Sequence, residues 1–256
     1  MQIPDLESVD LALTTTRSVR RRIDWERPVE REVIERCIDI ATQAPTGLNV
    51  EAWRFLVITD AERKREMGDL YRRSLAQMAE LRNEHARRTG TKPPALRKVH
   101  QDLADRLHEM PVLILVCMQG RPDDTLARQV GFYGSILPAA WSLMVALRAR
   151  GLGSTWTSLH LMNEEAAARL LGIPEDVSQT VLLPVGYMRD ASMARLSDSR
   201  FLLVYKDGAD GLGHARVVDV GAAADNAISF AVATDTVTFG GRGGASSGRQ
   251  TSKWSR

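Results

Sequence analysis

The sequence predicts a domain of the α/β or α+β class, in which helices cover a central sheet. Strand-like and helix-like segments alternate between residues 29 and 187. The run MPVLILVCMQG at 110–120 is short and continuously apolar, which is typical of a central strand buried on both faces. Residues 123–150 form a long segment that is apolar almost all round, which indicates a buried helix.

The first half of the chain predicts two helices around one strand. Residues 33–44 place apolar side chains at helical spacing, and Pro45 is expected to end that helix. The sequence RFLVITD at 54–60 predicts a strand. A long exposed helix is then expected over 60–81, with Asp60 as its N-cap. The basic stretch 82–100, which contains a pair of prolines, is predicted to be a mobile connection.

The second half predicts two strands and a helix. Gly151 and Gly153 are expected to end the helix over 123–150. Strands are predicted for STWTSLHL at 154–161 and VSQTVLLPVGY at 177–187, and between them NEEAAARLLG predicts a helix capped by Asn163. The chain therefore divides into a domain over 1–187, a segment over 188–238 with little periodicity, and a Gly/Ser/Arg tail over 239–256 that we expect to be disordered.

Composition excludes several classes of protein. The 34 basic and 32 acidic residues leave a formal charge of +2, too balanced for a nucleic-acid binder. Cys37 and Cys117 lie in apolar patterns, which predicts buried free thiols and argues against a disulfide-rich secreted scaffold. The first residues lack the layout of a signal peptide, and Pro138 interrupts the most apolar run short of a membrane span. We therefore expect a cytoplasmic protein with no membrane or nucleic-acid partner.

Catalytic side-chain motifs are missing from the sequence. The five histidines have no metal-ligand spacing, and no GxSxG, P-loop or dinucleotide-binding motif is present. The sequence therefore predicts no metal site and no catalytic side chain. Such a chain is a binding module, or an enzyme whose cofactor does the chemistry.

Arg17, Ser18 and Arg20 place three hydrogen-bond donors close together before the first long helix. Guanidinium and hydroxyl groups can all donate to the oxygens of a phosphate. The cluster thus predicts a phosphate site, and a solvated basic patch is the alternative.

Four segments, in this order, resemble the nitroreductase family of FMN-dependent NAD(P)H oxidoreductases. They are TRSVRRRID, APTGLNVEAWRFLVITD, GSILPAAWSLMVALRARGLGSTWT and VLLPVGY, and the resemblance covers roughly residues 10–187. It implies an α+β fold with a central mixed or antiparallel sheet flanked by helices. It also implies bound FMN, NAD(P)H as electron donor, and a homodimer with the long buried helix at the interface beside the flavin.

The resemblance also implies which residues hold FMN. The phosphate and ribityl chain would contact Arg17, Ser18 and Arg20. The edge of the isoalloxazine ring would contact Pro45, Thr46 and Asn49, with Trp53 packed beneath, and Gly47 permits close backbone approach. One face of the ring would lie along Ser154, Thr155, Trp156 and Thr157.

Three positions depart from the pattern that the resemblance implies. Many members have Arg where Thr16 stands, and Gln-Asn where this chain has Trp141 and Ser142. After VLLPVGY, the usual basic phosphate contact has no clear counterpart, although Arg189 or Arg195 could take its place.

The resemblance implies hydride transfer from NAD(P)H through the flavin to a small acceptor such as a nitroaromatic or a quinone. The helix over 60–85 and the stretch 82–100 are expected to shape the acceptor pocket. Two alternatives stay open. One is a specialised flavin enzyme that desaturates, dehalogenates or breaks down its substrate or its flavin, and the other is a non-enzymatic protein that binds or sequesters flavin.

Overall fold

A computed structural model of the chain describes residues 5–93, 95, 97–122, 124–189, 192–195, 200–206, 213–220 and 230–239. The chain forms two compact units, one of residues 12–189 and one of residues 1–11 together with 190–256. The predicted boundaries at 187 and 238 remain predictions.

The larger unit is built on an antiparallel sheet of four strands. The strands are β1 (Trp53–Ile58), β2 (Val112–Gln119), β3 (Leu152–Ser154) and β4 (Val177–Tyr187), in the order β1-β2-β4-β3. The predicted central strand is confirmed, since β2 pairs on both sides. The prediction of an α+β fold with an antiparallel sheet is also confirmed.

Six helices accompany these strands in the described residues. They are α1 (Leu6–Thr15), α2 (Arg31–Ala41), α3 (Ala61–Thr89), α4 (Lys98–Arg106), α5 (Leu126–Arg148) and α6 (Glu164–Leu171). Short 3-10 turns cover Gly47–Asn49, Leu107–Glu109 and Leu159–Asn163.

The sheet separates two hydrophobic cores. Successive β2 side chains point to opposite faces, so Ile114 and Val116 pack with α2 and α5, while Leu113 and Leu115 pack with α3, α4 and α6. Cys37 lies in the first core and Cys117 in the second, both as free thiols, as the sequence predicts. The result is a sheet between two helical layers.

The prediction of a mobile connection over 82–100 is wrong at both ends. The helix α3 continues to Thr89, and α4 begins at Lys98. The last turns of α3 include Glu84, Ala86, Arg87 and Arg88, which are good helix formers, and Ala86 is buried there, so the helix continues. The helix is also not wholly exposed, because Met67, Leu70 and Leu75 pack into the second core.

The predicted strand over 154–161 is also wrong in most of its length. Only Ser154 belongs to β3, Thr157 forms an isolated bridge with Leu182, and a 3-10 turn follows. Asn163 precedes α6 but does not cap it through its side chain. Its Nδ2 donates instead to Ser74 Oγ and Gln77 Oε1, each at 2.8 Å, which ties this segment to α3.

The predicted long helix is confirmed as α5, but it is not buried all round. Leu126, Val130 and Trp141 are exposed, while the opposite side packs in the first core. Among the described helices, α5 alone is long and apolar enough to cross a membrane. Of its most apolar 18 residues, 44% are buried within the protein. The sequence predicted a run too short for a span.

The smaller unit contains four strands that the sequence did not predict. They are β5 (Ser192–Arg195), β6 (Arg200–Lys206), β7 (Gly213–Val220) and β8 (Phe230–Phe239), paired as an antiparallel meander. Residues 240–256 of the predicted tail lie outside the described residues.

Candidate functional site

The segment from Arg17 to Arg20 lies along the end of β3. Val19 N donates to Ser154 O at 2.8 Å, and Thr155 Oγ1 donates to Val19 O at 2.7 Å. Ser18 and Ser154 form a parallel bridge. The fold therefore brings together two of the three groups of site residues that the sequence predicted.

The same segment then crosses the end of β4. Asp24 N donates to Tyr187 O at 2.7 Å, and Ile23 bridges Met188. A Cβ atom on Gly186 would lie 2.7 Å from Ile23 Cγ2, and one on Gly153 would lie 3.0 Å from Val19 Cβ. Both glycines are required for this close approach, because a side chain would push the segment off the sheet.

Arg20 has the chemistry of an anion-binding residue. Its Nε is buried and has no hydrogen-bond partner in the described residues. Burial lowers the pKa of the guanidinium, an effect that Tyr71 partly offsets. A buried donor without a partner is costly, so an acceptor such as a phosphate or a flavin oxygen would relieve it. Arg17 and Ser18 are exposed beside it, and the three groups fit an FMN phosphate and ribityl chain.

Tyr71 is a site residue that the sequence did not identify. Its hydroxyl lies 2.9 Å from Thr157 Oγ1, and burial raises its pKa. The charge of Arg20 acts on it as well, so Tyr71 connects α3 to both predicted groups. On the sequence, Tyr71 shows only the spacing of the buried face of α3.

His100 was also missed. Burial lowers the pKa of its imidazole, and the charges of Arg20, Arg97 and Arg82 lower it further. Three guanidinium groups from separate segments therefore lie within electrostatic reach of one histidine. Sequence spacing could not show this, because Arg20 is far from α4 along the chain.

The first two residues of the predicted flavin face, 154–157, are buried and hold the fold together. Ser154 and Thr155 are buried, and the Thr155 hydroxyl is engaged by Val19. Trp156 and Thr157 are half-buried. A ring could therefore contact the backbone of this segment and its later residues more readily than the first two side chains.

The third group, the loop from Pro45 to Asn49, is attached to α5. Gly47 N donates to Ser135 Oγ at 2.9 Å, and Trp53 Nε1 donates to Ser135 O at 2.7 Å. Within the loop, Thr46 Oγ1 donates to Val50 O at 2.9 Å. Among the described residues, no hydrogen bond or ion pair joins this loop to Arg17–Arg20.

Gly47 and Asn49 have structural roles in this loop besides the flavin contacts that the resemblance implies. The close approach at Gly47 is to α5, since a Cβ atom there would lie 3.2 Å from Ser135 Oγ. Asn49 has a φ of 56°, in the left-handed region that Asn tolerates, so the turn-forming role of this residue is real. Pro45 and Asn49 are exposed.

The departures noted in the sequence have structural counterparts. Thr16 is buried, and its Oγ1 donates to Ala12 O at 2.6 Å, so this hydroxyl closes the end of α1. Arg189 Nε lies 3.8 Å from Asp24 Oδ1. Arg195 lies in β5, and its side chain is outside the described part of the chain.

No group of three or more His, Cys, Asp or Glu in the described residues is arranged to hold a metal ion. The larger unit is an α+β domain that carries a cluster of Arg17, Ser18 and Arg20, whose donors suit an anion. A profile of the Nitroreductase family matches residues 13–187. The chain belongs to the nitroreductase family.

Two relatives show how varied such proteins are. The chain is 31% identical over 198 residues to the iodotyrosine deiodinase of Drosophila melanogaster, which covers 74% of this chain and 67% of that protein. It is 27% identical over 179 residues to a Methanothermobacter thermautotrophicus protein provisionally named NADH dehydrogenase/NAD(P)H nitroreductase, with coverage of 69% and 75%.

A solved structure shares the fold. An oxidised iodotyrosine deiodinase bound to FMN and 3-iodo-L-tyrosine superposes with a TM-score of 0.52 at 23% identity, over 74% of this chain and 98% of that one. Together, the comparisons support an oxidoreductase of the flavoprotein class.

Proposed function

We propose that this chain is an FMN-dependent oxidoreductase that carries electrons from NAD(P)H to a small acceptor such as a nitroaromatic or a quinone. The observation that carries the proposal is the buried Nε of Arg20, which has no hydrogen-bond partner within the described residues and lies beside Arg17 and Ser18 at the end of β3. Family membership and the FMN-bound structural neighbour support the same cofactor.

The residues of this chain would bind and orient the cofactor. Arg17 and Ser18 would donate to the phosphate, and Arg20 would satisfy its buried donor on the ribityl chain or a flavin oxygen. Bound FMN would supply the redox chemistry, accepting hydride from NAD(P)H and passing two electrons to the acceptor. The positive charge of Arg20 would stabilise the negative charge of the reduced cofactor.

We also propose that a second copy of the chain completes the site. The exposed side of α5 presents Leu126, Val130 and Trp141, and Cβ atoms built on Gly131 and Gly134 would meet open space. Apolar and bare backbone surface of this kind is suited to close helix packing between subunits. Since the loop 45–49 is fixed to α5, dimerisation through α5 would place the loop at the subunit interface.

Light scattering of the purified protein tests the dimer. We expect a mass of two chains, and Val130→Glu should yield monomers that lose FMN. A wild-type monomer that retains FMN would contradict the shared site.

The visible absorption spectrum tests the cofactor and the activity. We expect a flavin band that bleaches on anaerobic addition of NADPH or NADH and returns on addition of an acceptor. A band that neither nucleotide bleaches would instead favour a protein that binds or sequesters flavin without turnover. A colourless protein that fails to take up FMN would overturn the proposal.

Reductive dehalogenation is a second candidate, favoured by the 31% identity to an iodotyrosine deiodinase. Release of iodide from 3-iodotyrosine, measured with dithionite as reductant, separates the two candidates. Iodide release without NAD(P)H-dependent reduction of nitroaromatics or quinones would favour the deiodinase-like reaction.

A further inference from the structure

Tyr71 and Thr157 form a pair of hydroxyl groups that the proposed function leaves without a role. Tyr71 Oη lies 2.9 Å from Thr157 Oγ1, and this hydrogen bond joins the helix α3 to the last residue of the predicted flavin face, 154–157. Tyr71 is only 5% exposed, whereas Thr157 is half-buried. One hydroxyl of the pair is therefore enclosed in the core, and the other lies nearer the surface, where a ligand could reach it.

The pair is connected to the segment Arg17–Arg20 through the residues that precede Thr157. Val19 N donates to Ser154 O at 2.8 Å, and Thr155 Oγ1 donates to Val19 O at 2.7 Å. Thr157 follows Thr155 on the same segment of chain. Hydrogen bonds therefore place the hydroxyl pair beside the arginine segment.

The backbone of Thr157 is held by β4. Thr157 N donates to Leu182 O at 3.1 Å, and Leu182 N donates to Thr157 O at 2.8 Å. The side-chain oxygen also accepts a longer hydrogen bond, from Leu159 N at 3.4 Å. The position of the Thr157 oxygen is therefore set by β4 and by the turn that follows, which leaves the direction of its hydrogen to Tyr71.

The two hydroxyls carry two hydrogens, and the bond between them uses only one. Burial raises the pKa of Tyr71, so its phenol keeps the proton. A phenol is more acidic than an aliphatic alcohol and is the better donor, so Tyr71 donates and Thr157 accepts. Within the described residues, the hydrogen of Thr157 then has no acceptor.

We propose that Tyr71 is a positioning residue, which fixes the Thr157 hydroxyl so that its hydrogen is available to the bound flavin. This inference rests on the proposed function, because it requires FMN in the site. A donor whose direction is fixed before binding needs no reorganisation, and it stabilises the negative charge of reduced FMN more than the neutral oxidised form. Tyr71 would thus raise the midpoint potential of the cofactor by acting through Thr157.

Redox titration of the FMN-loaded protein, with dithionite and a reference dye, tests the inference. Thr157→Val removes the donor, so reduced FMN should bind about tenfold more weakly relative to oxidised FMN, which lowers the midpoint potential by about 30 mV. Tyr71→Phe keeps the ring in the core but frees the Thr157 hydroxyl to rotate. We expect about a threefold change, or about 15 mV in the same direction.

The double variant Tyr71→Phe, Thr157→Val distinguishes positioning from packing. If Tyr71 acts through Thr157, the double variant should have the same potential as Thr157→Val alone. Thr157→Ser keeps the hydroxyl and should restore most of the potential that Thr157→Val loses. Additive shifts in the double variant, or a serine variant that behaves like the valine variant, would overturn the inference.

Tyr187→Phe is the matched control. It removes the hydroxyl of another tyrosine, which donates to Glu30 Oε2 at 2.5 Å and does not bond to Thr157. We expect the midpoint potential to stay unchanged, and circular dichroism checks that each variant is folded. An equal shift in Tyr187→Phe and Tyr71→Phe would show that the effect is not specific to Tyr71, which would also overturn the inference.

The outcomes separate failure of the inference from failure of the proposed function. Bound FMN that NAD(P)H reduces, with one potential in the wild type, Tyr71→Phe and Thr157→Val, would overturn the inference alone. Bound FMN that dithionite reduces and NAD(P)H does not would overturn the proposed function, while the shifts in potential would still support the role of Tyr71. A wild-type protein that takes up no FMN would overturn both.

Discussion

The two parts of the candidate site are built in different ways. The segment Arg17–Arg20 is anchored to β3 by the backbone hydrogen bond from Val19 N to Ser154 O, and Arg20 is half-buried there. The loop 45–49 is anchored to α5 through Ser135, with Pro45 and Asn49 exposed. The inner part, Arg17–Arg20, thus carries a partly buried cation on the sheet, and the outer part, the loop 45–49, is a neutral loop on a helix.

This difference indicates how binding energy should divide between the two parts. The inner segment, Arg17–Arg20, supplies charged donors, and the Arg20 donor is already desolvated. Charged donors form stronger hydrogen bonds than neutral ones. The outer loop supplies neutral groups on a 3-10 turn. We therefore expect changes in the inner segment to affect cofactor affinity most and changes in the outer loop to affect it least.

The largest expected effect is that of Arg17→Ala with Arg20→Ala. Each change removes a charge-assisted contact worth about 1.5–3 kcal/mol, so the FMN dissociation constant should rise at least about 100-fold. Fluorescence titration with FMN measures this, and circular dichroism checks that the fold is intact.

Arg21→Ala is the matched control for that double variant. Arg21 is exposed, lies in the same basic run, and has no contact with β3 in the described residues. It should leave FMN affinity unchanged. If the double variant kept full flavin through gel filtration, the inner segment would not be the phosphate site.

The second effect concerns His160, which lies three residues after Thr157 and is fully buried, with neither ring nitrogen hydrogen-bonded within the described residues. Burial lowers its pKa from 6.5 to about 4. Between these values the unfolded chain takes up a proton that the folded chain does not, so stability falls as pH drops from 6.5 to about 4. The full loss is about 3 kcal/mol.

Urea unfolding at a series of pH values measures the contribution of His160. His160→Leu should remove about that much of the decline over the same pH window, because leucine does not titrate. The same decline in His160→Leu as in the wild type would show that other groups cause it.

The third effect separates two roles of Asn49. Asn49→Gly keeps the left-handed backbone but removes the amide, so FMN affinity should fall about fivefold with little change in Tm. Asn49→Ala should cause the same loss of affinity and also lower stability by about 1 kcal/mol, since alanine is strained at a positive φ. Unchanged FMN affinity in Asn49→Gly would limit Asn49 to its role in the turn.

The smallest effect is expected at the anchor of the outer loop. Ser135→Ala removes the acceptor of Gly47 N, and the free energy of unfolding should fall by about 1 kcal/mol. Chemical denaturation measures the change. If FMN affinity fell more in Ser135→Ala than in the Arg17, Arg20 double variant, the division between strong inner and weak outer parts would be wrong.

Local sequence patterns predicted the central elements well. The strand β2 and the helices α2 and α5 follow directly from apolar periodicity, since their buried faces are continuous along the chain. The three short motifs of the site do not stand out individually, since a solvated basic patch or a turn explains such residues equally well. Their role as a flavin site came from resemblance, and the structure supplies the pairing of Arg17–Arg20 with Ser154–Thr155.

The parts that the sequence did not predict depend on distant contacts. The predicted strand over 154–161 does not extend beyond Ser154, because Thr157 forms a single isolated bridge and Asn163 binds α3 instead of capping α6. Tyr71 and His100 join the site through packing of α3 and α4 against the crossing segment. Nothing in their neighbouring residues distinguishes them from ordinary helix positions.

Gly153 and Gly186 lie directly beneath the segment that carries Arg17 and Arg20 and crosses the ends of β3 and β4. Because neither glycine has a side chain, Val19 and Ile23 can pack directly against the backbone of the sheet. This close packing sets the distance between the segment and the strands. A methyl group added at Gly186 would lie 2.7 Å from Ile23 Cγ2, so Ile23 and the segment around it would have to move away from the sheet. The position of Arg17 and Arg20 over the sheet therefore depends on two residues that have no side chain at all.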